Sequence, residues 1–160
     1  MSFTVILCAD DDAHGRRLMR EAVSASGLAN ELRFVKDGVE LLEYLQHRGH
    51  YAEPSDAPRP GVILLDLNMP RMDGREAARL IKSDPALRSI PIIIFTTSKS
   101  ELDVTQSYDA GANSYIAKPV TFDGLVEVMR TLGRYWFDVG ELSSMAGPVR
   151  SAPAWLPGSP

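Results

Sequence analysis

Five short, mostly apolar runs alternate with amphipathic stretches along the chain. The most uniform is Val62–Leu65, within the segment Gly61–Gly74. A run that is apolar at every position, rather than at alternate ones, indicates a strand buried on both faces, as in a parallel sheet. The other predicted strands are Phe3–Ala9, Leu32–Val35, Ile92–Phe95 and Ser114–Ala117.

Stretches with apolar residues at helical spacing follow each of these runs. The predicted helices are His14–Ser26, a short one marked by Val39 to Leu45, Gly74–Ser83, Leu102–Ala110 and a last, longest one over Phe122–Phe137. Five repeats of strand and helix predict an α/β fold, a doubly wound parallel sheet with helices on both faces.

The last predicted helix carries apolar residues on two strips. Leu125, Met129 and Leu132 belong to the strip with the regular spacing of a packing face. Val128 and Tyr135 lie off that strip, and we interpret them as a second apolar surface that packs a partner subunit.

Two segments lack the pattern of a folded element. His47–Pro60 contains three prolines and little periodic apolar content, so we predict a long, exposed loop. The end of the chain is rich in proline, glycine and serine. We therefore expect a single folded domain over residues 1–140, including an extended last helix, and a flexible Pro-rich tail over residues 141–160.

Composition narrows the class of protein. The chain has 160 residues and a net charge of −4, without the basic footprint of a nucleic-acid-binding domain. Its one cysteine, Cys8, lies in an apolar run and is expected to be a small buried residue. No apolar run approaches the roughly 20 residues that cross a bilayer, and the N-terminus lacks the features of a signal peptide. We expect a cytoplasmic protein that binds neither nucleic acid nor membrane.

Polar side chains stand where four of the predicted strands end. Asp10-Asp11, Asp66, Thr96 and Lys118 occupy these positions. In a doubly wound sheet the carboxyl ends of the strands lie side by side, so these residues should converge. Clustered carboxylates repel one another unless a cation sits among them, and oxygen ligands without His or Cys favour Mg²⁺ over Zn²⁺. Asp12 adds a third acid, which leaves the identity of the metal-binding pair open by one position.

The same four strand ends could hold a phosphoryl group. A metal ion, the ammonium of Lys118 and the hydroxyl of Thr96 together match its three peripheral oxygens. The carboxylate of Asp66 is the natural acceptor, as in an aspartyl phosphate. Each residue alone has a plain structural explanation, such as a turn, a helix cap or a solvated lysine. Their conjunction, in this order, is what indicates phosphoryl chemistry.

With these residues in place, the chain resembles the receiver domains of bacterial response regulators in two-component signalling, over Phe3 to Val139. The matching motifs are the acid pair Asp10-Asp11, the phosphoacceptor segment from Leu65 to Pro70 with Met72-Asp73-Gly74 after it, the hydroxyl of Thr96, the aromatic Tyr115 and Lys118-Pro119. The resemblance implies a flavodoxin-like receiver fold of five parallel strands in the order 2-1-3-4-5, with five helices.

The resemblance also implies a role for each acid. Asp66 would accept the phosphoryl group from a kinase histidine. Asp11 would bind Mg²⁺ directly and Asp10 through water, with Asp66 and the backbone carbonyl of Asn68 as further ligands.

The other motif residues would couple the phosphoryl group to the surface. Lys118 would pair with it, and Thr96 would bond to it and shift. Tyr115 would then swing inward and change the face formed by the fourth helix, the fifth strand and the fifth helix. A cis bond at Lys118-Pro119 is implied as well.

Within the family, three features are similar to small stand-alone regulators paired with phytochrome-type histidine kinases. These are the loop His47–Pro60, the run Thr96-Thr97-Ser98 and the extended last helix. The likeness implies a phytochrome-type kinase as partner and a homodimer formed through the last strand and the C-terminal helix.

The expected function is that of a single-domain response regulator, not an enzyme beyond its own phosphotransfer and autodephosphorylation. An Asp-nucleophile phosphatase would usually place a second acid two residues after Asp66, where this chain has Asn68. A nucleotide or flavin module would need a Gly-rich loop after the first strand, where Asp10-Asp11-Asp12 stands. A pseudo-receiver scaffold, which keeps the fold without phosphorylation, is a further alternative.

Overall fold

Parallel pairing of five short strands forms the centre of the protein. The computed structural model describes residues 5–53, 56–97 and 100–134. The strands are β1 (Ile6–Ala9), β2 (Leu32–Val35), β3 (Val62–Leu65), β4 (Ile92–Thr96) and β5 (Ser114–Ala117). They lie in the order β2-β1-β3-β4-β5, and every pair is parallel. The doubly wound sheet and its strand order are confirmed. The first two residues predicted for β1, Phe3 and Thr4, lie outside the described residues.

Five helices follow the strands in turn. They are α1 (Ala13–Ala25), α2 (Gly38–Gln46), α3 (Gly74–Ser83), α4 (Glu101–Asp109) and α5 (Phe122–Leu132). Each begins after a residue whose side chain accepts a hydrogen bond from a backbone amide of the first turn, which satisfies a donor without an intrahelical partner. These capping residues are Asp12, Asp37, Asp73, Ser100 and Thr121. Among the described residues, no helix has the length and apolar character to cross a membrane.

Two apolar cores lie on the two faces of the sheet. Alternate residues of each strand point to opposite faces, so Leu7 joins the core with α2 and α3 while Cys8 joins the core with α1 and α5. Every residue of β1, β3 and β4 is buried. This two-sided burial explains why these strands have continuous apolar runs.

The prediction of a second, partner-facing strip on α5 is wrong for Val128. Its side chain is only 1% exposed and belongs to the core shared with α1 and the sheet. Because α5 packs against α1 as well as against the sheet, its apolar face is wider than a single strip. Tyr135 and the predicted extension of the helix to Phe137 lie outside the described residues, as does the tail over residues 141–160.

The segment 47–60 is more closely attached to the domain than the predicted exposed loop. The hydroxyl of Tyr44 donates to the carbonyl of Pro58 at 2.8 Å, and the His47 ring lies 3.0 Å from the carbonyl of Ala57. Ala57 itself is buried. A short 3₁₀ turn over Gly49–Tyr51 follows α2. Pro54 and Ser55 lie outside the described residues.

Candidate functional site

The register of the sheet brings the predicted strand-end residues together. Ala9 pairs with Leu65, so Asp10 and Asp66 leave the sheet side by side. The amide of Asp66 donates to the carbonyl of Ala9 at 3.1 Å. On the other side, the amide of Lys118 donates to the carbonyl of Thr96 at 2.7 Å. All four strand ends therefore open onto one site, as the alternating pattern predicted.

The ammonium of Lys118 lies between two carboxylates. Its Nζ is 3.0 Å from Asp10 Oδ2 and 3.1 Å from Asp66 Oδ2. Burial alone would lower the pKa of Lys118, but the charges of Asp66 and Asp10 outweigh it and raise that pKa above its ordinary value. Lys118 is thus a cation at neutral pH, and its charge offsets the repulsion between the two acids.

The second oxygen of Asp66 has donors of its own. Asp66 Oδ1 accepts from the Thr96 hydroxyl at 2.9 Å and from the Asn68 amide at 3.3 Å. Thr96 is completely buried, whereas the Asp66 side chain keeps 13% exposure. The carboxylate is therefore held at both oxygens and still reachable from solvent.

Three carboxylates form a group that fits a divalent cation. One oxygen each from Asp10, Asp11 and Asp66 lies within 4.8 Å of the others. Asp10 is buried and Asp11 is exposed, so the group spans from the interior to the mouth of the site. Oxygen donors without His or Cys suit a hard ion such as Mg²⁺ or Mn²⁺.

Asp12, the third acid of the run, has a different role. Its carboxylate caps α1 and accepts from the amides of His14 at 3.3 Å and Gly15 at 3.2 Å. Its own amide donates to Asp10 Oδ1 at 3.0 Å. Asp12 therefore caps a helix, whereas Asp10 and Asp11 belong to the group of carboxylates that could hold a metal ion.

The structure differs from two expectations, one about Tyr115 and one about the Lys118–Pro119 bond. The ring of Tyr115 is already inside, at 1% exposure, in the core with α2 and α3. An inward swing is therefore not needed to bury it. The Lys118–Pro119 bond is trans, since no peptide bond among the described residues is cis. The trans isomer is the intrinsically favoured one for a bond before proline.

Several neighbours of the site were not found from sequence. The Arg16 side chain donates to the carbonyl of Asp10 at 2.8 Å, and Arg71 forms an ion pair with Asp37. Gly74 stands so close to the end of β3 that a Cβ would lie 2.3 Å from the carbonyl oxygen of Asp66. The position of Gly74, at the end of the phosphoacceptor segment, could have indicated this close approach from sequence. The contacts of Arg16 and Arg71 could not, because no spacing pattern in the sequence relates the residues that they join.

Comparison with known proteins gives a consistent set of likenesses. The family model described as response regulator receiver domain matches residues 6–130. Response regulator Rcp1 of Synechocystis is 37% identical over 134 residues, which cover 84% of this chain and 89% of Rcp1.

Solved structures agree with the sequence comparison. The phosphorylated cyanobacterial phytochrome response regulator RcpA is 39% identical, with a TM-score of 0.76 over 83% of this chain and 93% of RcpA. The Mn²⁺-bound form of Rcp1 is 37% identical, with a TM-score of 0.73 over 83% of this chain and 94% of that one. The likeness thus extends over nearly the whole of the described fold.

Proposed function

Because the chain belongs to the response regulator receiver domains of two-component signalling, we propose that it is a single-domain response regulator whose phosphoacceptor is Asp66. The observation that carries this proposal is the setting of the Asp66 carboxylate. It is held between Lys118 and Thr96, beside the acids Asp10 and Asp11, and it remains open to solvent.

In the proposed reaction, a carboxylate oxygen of Asp66 attacks the phosphorus of a phosphohistidine on a kinase. The new O–P bond forms as the N–P bond breaks, and the histidine nitrogen leaves with the electron pair. Lys118 is already 3.1 Å from Asp66 and stays close enough to pair with the incoming phosphoryl oxygens. Fixed donors of this kind supply positioning and charge stabilisation, which are the main needs of phosphoryl transfer.

The carboxylates of Asp10, Asp11 and Asp66, with the backbone carbonyl of Asn68, would hold the metal ion. We propose Mg²⁺, which would supply positive charge to offset the negative charge of the phosphoryl group. The mixed burial of the three acids supports this, because Asp10 is fixed inside while Asp11 stands exposed at the entrance.

Thr96 and Tyr115 would convert phosphorylation into a change of surface. The Thr96 hydroxyl now bonds to Asp66 Oδ1 and would transfer that bond to a phosphoryl oxygen. Thr96 ends β4 beside Ala117, and Tyr115 stands two residues earlier on β5. A shift of Thr96 therefore reaches the packing around Tyr115 and the face of α4, β5 and α5. Since Tyr115 is already buried, we propose that its packing changes rather than its exposure.

The chain's chemistry would end with its own phosphotransfer and autodephosphorylation. Turnover of an added phosphomonoester needs a general acid near the nucleophile, and Asn68 cannot exchange a proton at neutral pH. A scaffold without phosphorylation would have no need for Lys118 and Thr96 on the two oxygens of Asp66.

The proposed partner is a histidine kinase of the phytochrome type, on the strength of the likeness to RcpA. We also propose a homodimer through β5 and α5. Of the four large apolar side chains exposed among the described residues, three lie on α4 or at the junction of β5 and α5: Leu102, Val120 and Phe122. A receiver domain over residues 1–140 and a cytoplasmic location complete the proposal.

The test of the acceptor is labelling by a small phosphodonor such as acetyl phosphate with Mg²⁺, followed by intact mass. We expect Asp66→Asn to abolish the mass increase of one phosphoryl group, because the amide is not a nucleophile for phosphorus. Asp109→Asn, an exposed aspartate at the end of α4, is the matched control and should label like the wild type. Undiminished labelling of Asp66→Asn would exclude it as the acceptor.

A further inference from the structure

The loop between β3 and α3 contains a strained residue. Arg71 has a φ of +66°, in the left-handed region that side chains with a Cβ rarely adopt. Such a conformation costs energy and persists only where surrounding contacts determine it. The contacts of Arg71 therefore indicate what the loop requires.

A fork of two hydrogen bonds holds Arg71 to α2. Its Nε donates to Asp37 Oδ2 at 2.9 Å, and a terminal nitrogen donates to Asp37 Oδ1 at 3.1 Å. Asp37 also caps α2, accepting from the Glu40 amide at 2.8 Å. Burial would raise the pKa of Asp37, but the bonds from Arg71 and Glu40 lower it below its ordinary value. The aspartate is a buried anchor, with 10% of its side chain exposed, while Arg71 reaches it from the surface.

The backbones of the loop and of α2 touch as well. The Gly38 amide donates to the carbonyl of Met72 at 3.3 Å. A Cβ at Gly38 would lie 2.6 Å from that same oxygen, so the approach requires glycine. Between Asp66 and Met72, the loop is also held by the buried side chains of Leu67 and Met69 and by the bond from the Asn68 amide to Asp66 Oδ1. The side chains of Asn68 and Pro70 are exposed. The ion pair thus fixes the outer part of the loop.

We infer that Arg71 is a positioning residue for metal binding, which acts through its ion pair with Asp37 to hold the Asn68 carbonyl in place. The inference rests on the proposed function, in which that carbonyl is a metal ligand. Groups that orient a ligand without touching the metal lower the reorganisation that binding requires. An ordinary surface ion pair would have no such effect on metal affinity.

Two variants separate positioning from stability. Arg71→Gly removes the guanidinium and relieves the left-handed strain. Loss of the ion pair and relief of the strain have opposite effects on folding stability, so that stability should change little. Asp37→Asn removes the charge but keeps a side chain that caps a helix about equally well. Both should weaken Mg²⁺ and Mn²⁺ binding roughly tenfold. This is the low end of the losses that follow when a residue that orients a metal ligand is removed. Isothermal titration calorimetry measures the affinity, and urea denaturation the stability.

A second measurement needs no metal. In the metal-free protein, both variants should speed hydrogen exchange at the amides of Met72 and Gly74, because the loop is released from α2. Arg130→Ala is the matched control, since Arg130 pairs with Glu127 on the surface of α5. This control should leave both metal affinity and loop exchange unchanged.

The outcomes distinguish the inference from the proposed function. Wild-type affinity and wild-type loop exchange in Arg71→Gly and Asp37→Asn would overturn the role of Arg71 alone. A wild-type protein that binds neither Mg²⁺ nor Mn²⁺ would contradict the proposed function itself. A loss of affinity matched by an equal loss of folding stability in Arg71→Gly would show a structural role and also overturn the inference.

Discussion

At the scale of single residues, Lys118 determines the electrostatics of the site. Two carboxylates, Asp10 and Asp66, face each other in a largely buried setting, and the ammonium between them lies within hydrogen-bond distance of both. It thereby occupies part of the region where a divalent cation would also be attracted. Lys118 should therefore stabilise the metal-free protein and compete with metal at the same time.

Lys118→Met tests this dual role. Without metal, the free energy of unfolding should fall by about 2 kcal/mol, less than for a fully buried pair because water reaches the site. Added Mg²⁺ should stabilise the variant more than the wild type, since the competing charge is gone. Urea denaturation with and without Mg²⁺ measures both effects. Lys36→Met, at an exposed lysine, is the control; an equal loss in both variants would contradict the role of Lys118.

The pH dependence of this difference follows from the raised pKa of Lys118. A raised folded-state pKa means that the stabilisation is present below the ordinary lysine value and disappears as pH rises through the folded-state value. In metal-free buffer, the gap between wild type and Lys118→Met should therefore persist from neutral pH to about 10.

The residues of the site were predictable where position along a strand determines them. Asp10, Asp66 and Lys118 come directly after strands, and Thr96 is the last residue of one. Parallel strands end at one edge of the sheet, so these residues meet. The contact between Arg71 and Asp37 was not predictable, because it depends on a left-handed backbone angle and on how α2 meets the loop.

At the scale of elements, the junction of β3 and α3 sets the position of Asp66. α3 begins at Gly74, whose amide donates to the carbonyl of Leu67 at 2.9 Å. An added Cβ would lie 2.3 Å from the Asp66 carbonyl oxygen and 3.0 Å from Leu67 Cα. Since both are backbone atoms, relief requires the helix and the strand end to move apart.

Gly74→Ala should therefore damage both stability and labelling. We expect a loss of about 1–3 kcal/mol in unfolding free energy, as for other overpacked sites, and slower phosphoryl labelling because Asp66 is displaced. Gly27→Ala is a matched control: Gly27 has a φ of +82° and nothing within 4 Å of an added Cβ. It should lose about 1 kcal/mol through backbone strain alone and label normally. Normal labelling of Gly74→Ala would contradict the role of this close approach in positioning Asp66.

Elements were predicted best where one local pattern decides them. β2, β3, α3 and β5 have the predicted bounds, because apolar runs or caps define both ends. The buried face of α5 was predicted to be too narrow, because it left out Val128, which lies in the core with residues of α1 and the sheet. The spacing of apolar residues does not reveal that a helix packs against another helix as well as against the sheet. The attachment of segment 47–60 was also missed, because its bonds go to backbone carbonyls.

At the scale of the whole molecule, the question is which surface remains for a partner. The burial of Val128 removes one candidate, and the exposed apolar side chains of α4 and the β5–α5 junction become the better one. Val120 is 95% exposed and Leu102 is 64% exposed. Burial of such surface between two copies would favour association.

Val120→Glu tests the homodimer through this face. Light scattering measures the mass of the protein alone and of the protein with Mg²⁺ and beryllofluoride, which mimics the phosphoryl group. We expect the wild type to form a dimer and Val120→Glu to shift toward the monomer, because the dimer would bury a charge. Leu80→Glu, at an apolar side chain of α3 that is 44% exposed, should behave like the wild type. A wild type that stays monomeric in both states would contradict the dimer, and an unchanged Val120→Glu would contradict the face.

The burial of Cys8 has a practical consequence for following the switch. Its side chain is 3% exposed, and burial raises the pKa of the thiol to about 12. Alkylating dyes react with accessible thiolates, so the only cysteine of the chain is shielded from them in the folded state. A cysteine introduced on α4 would be the only reactive thiol, and a fluorophore attached there would report the two states of the surface while the native sequence of the core stays intact.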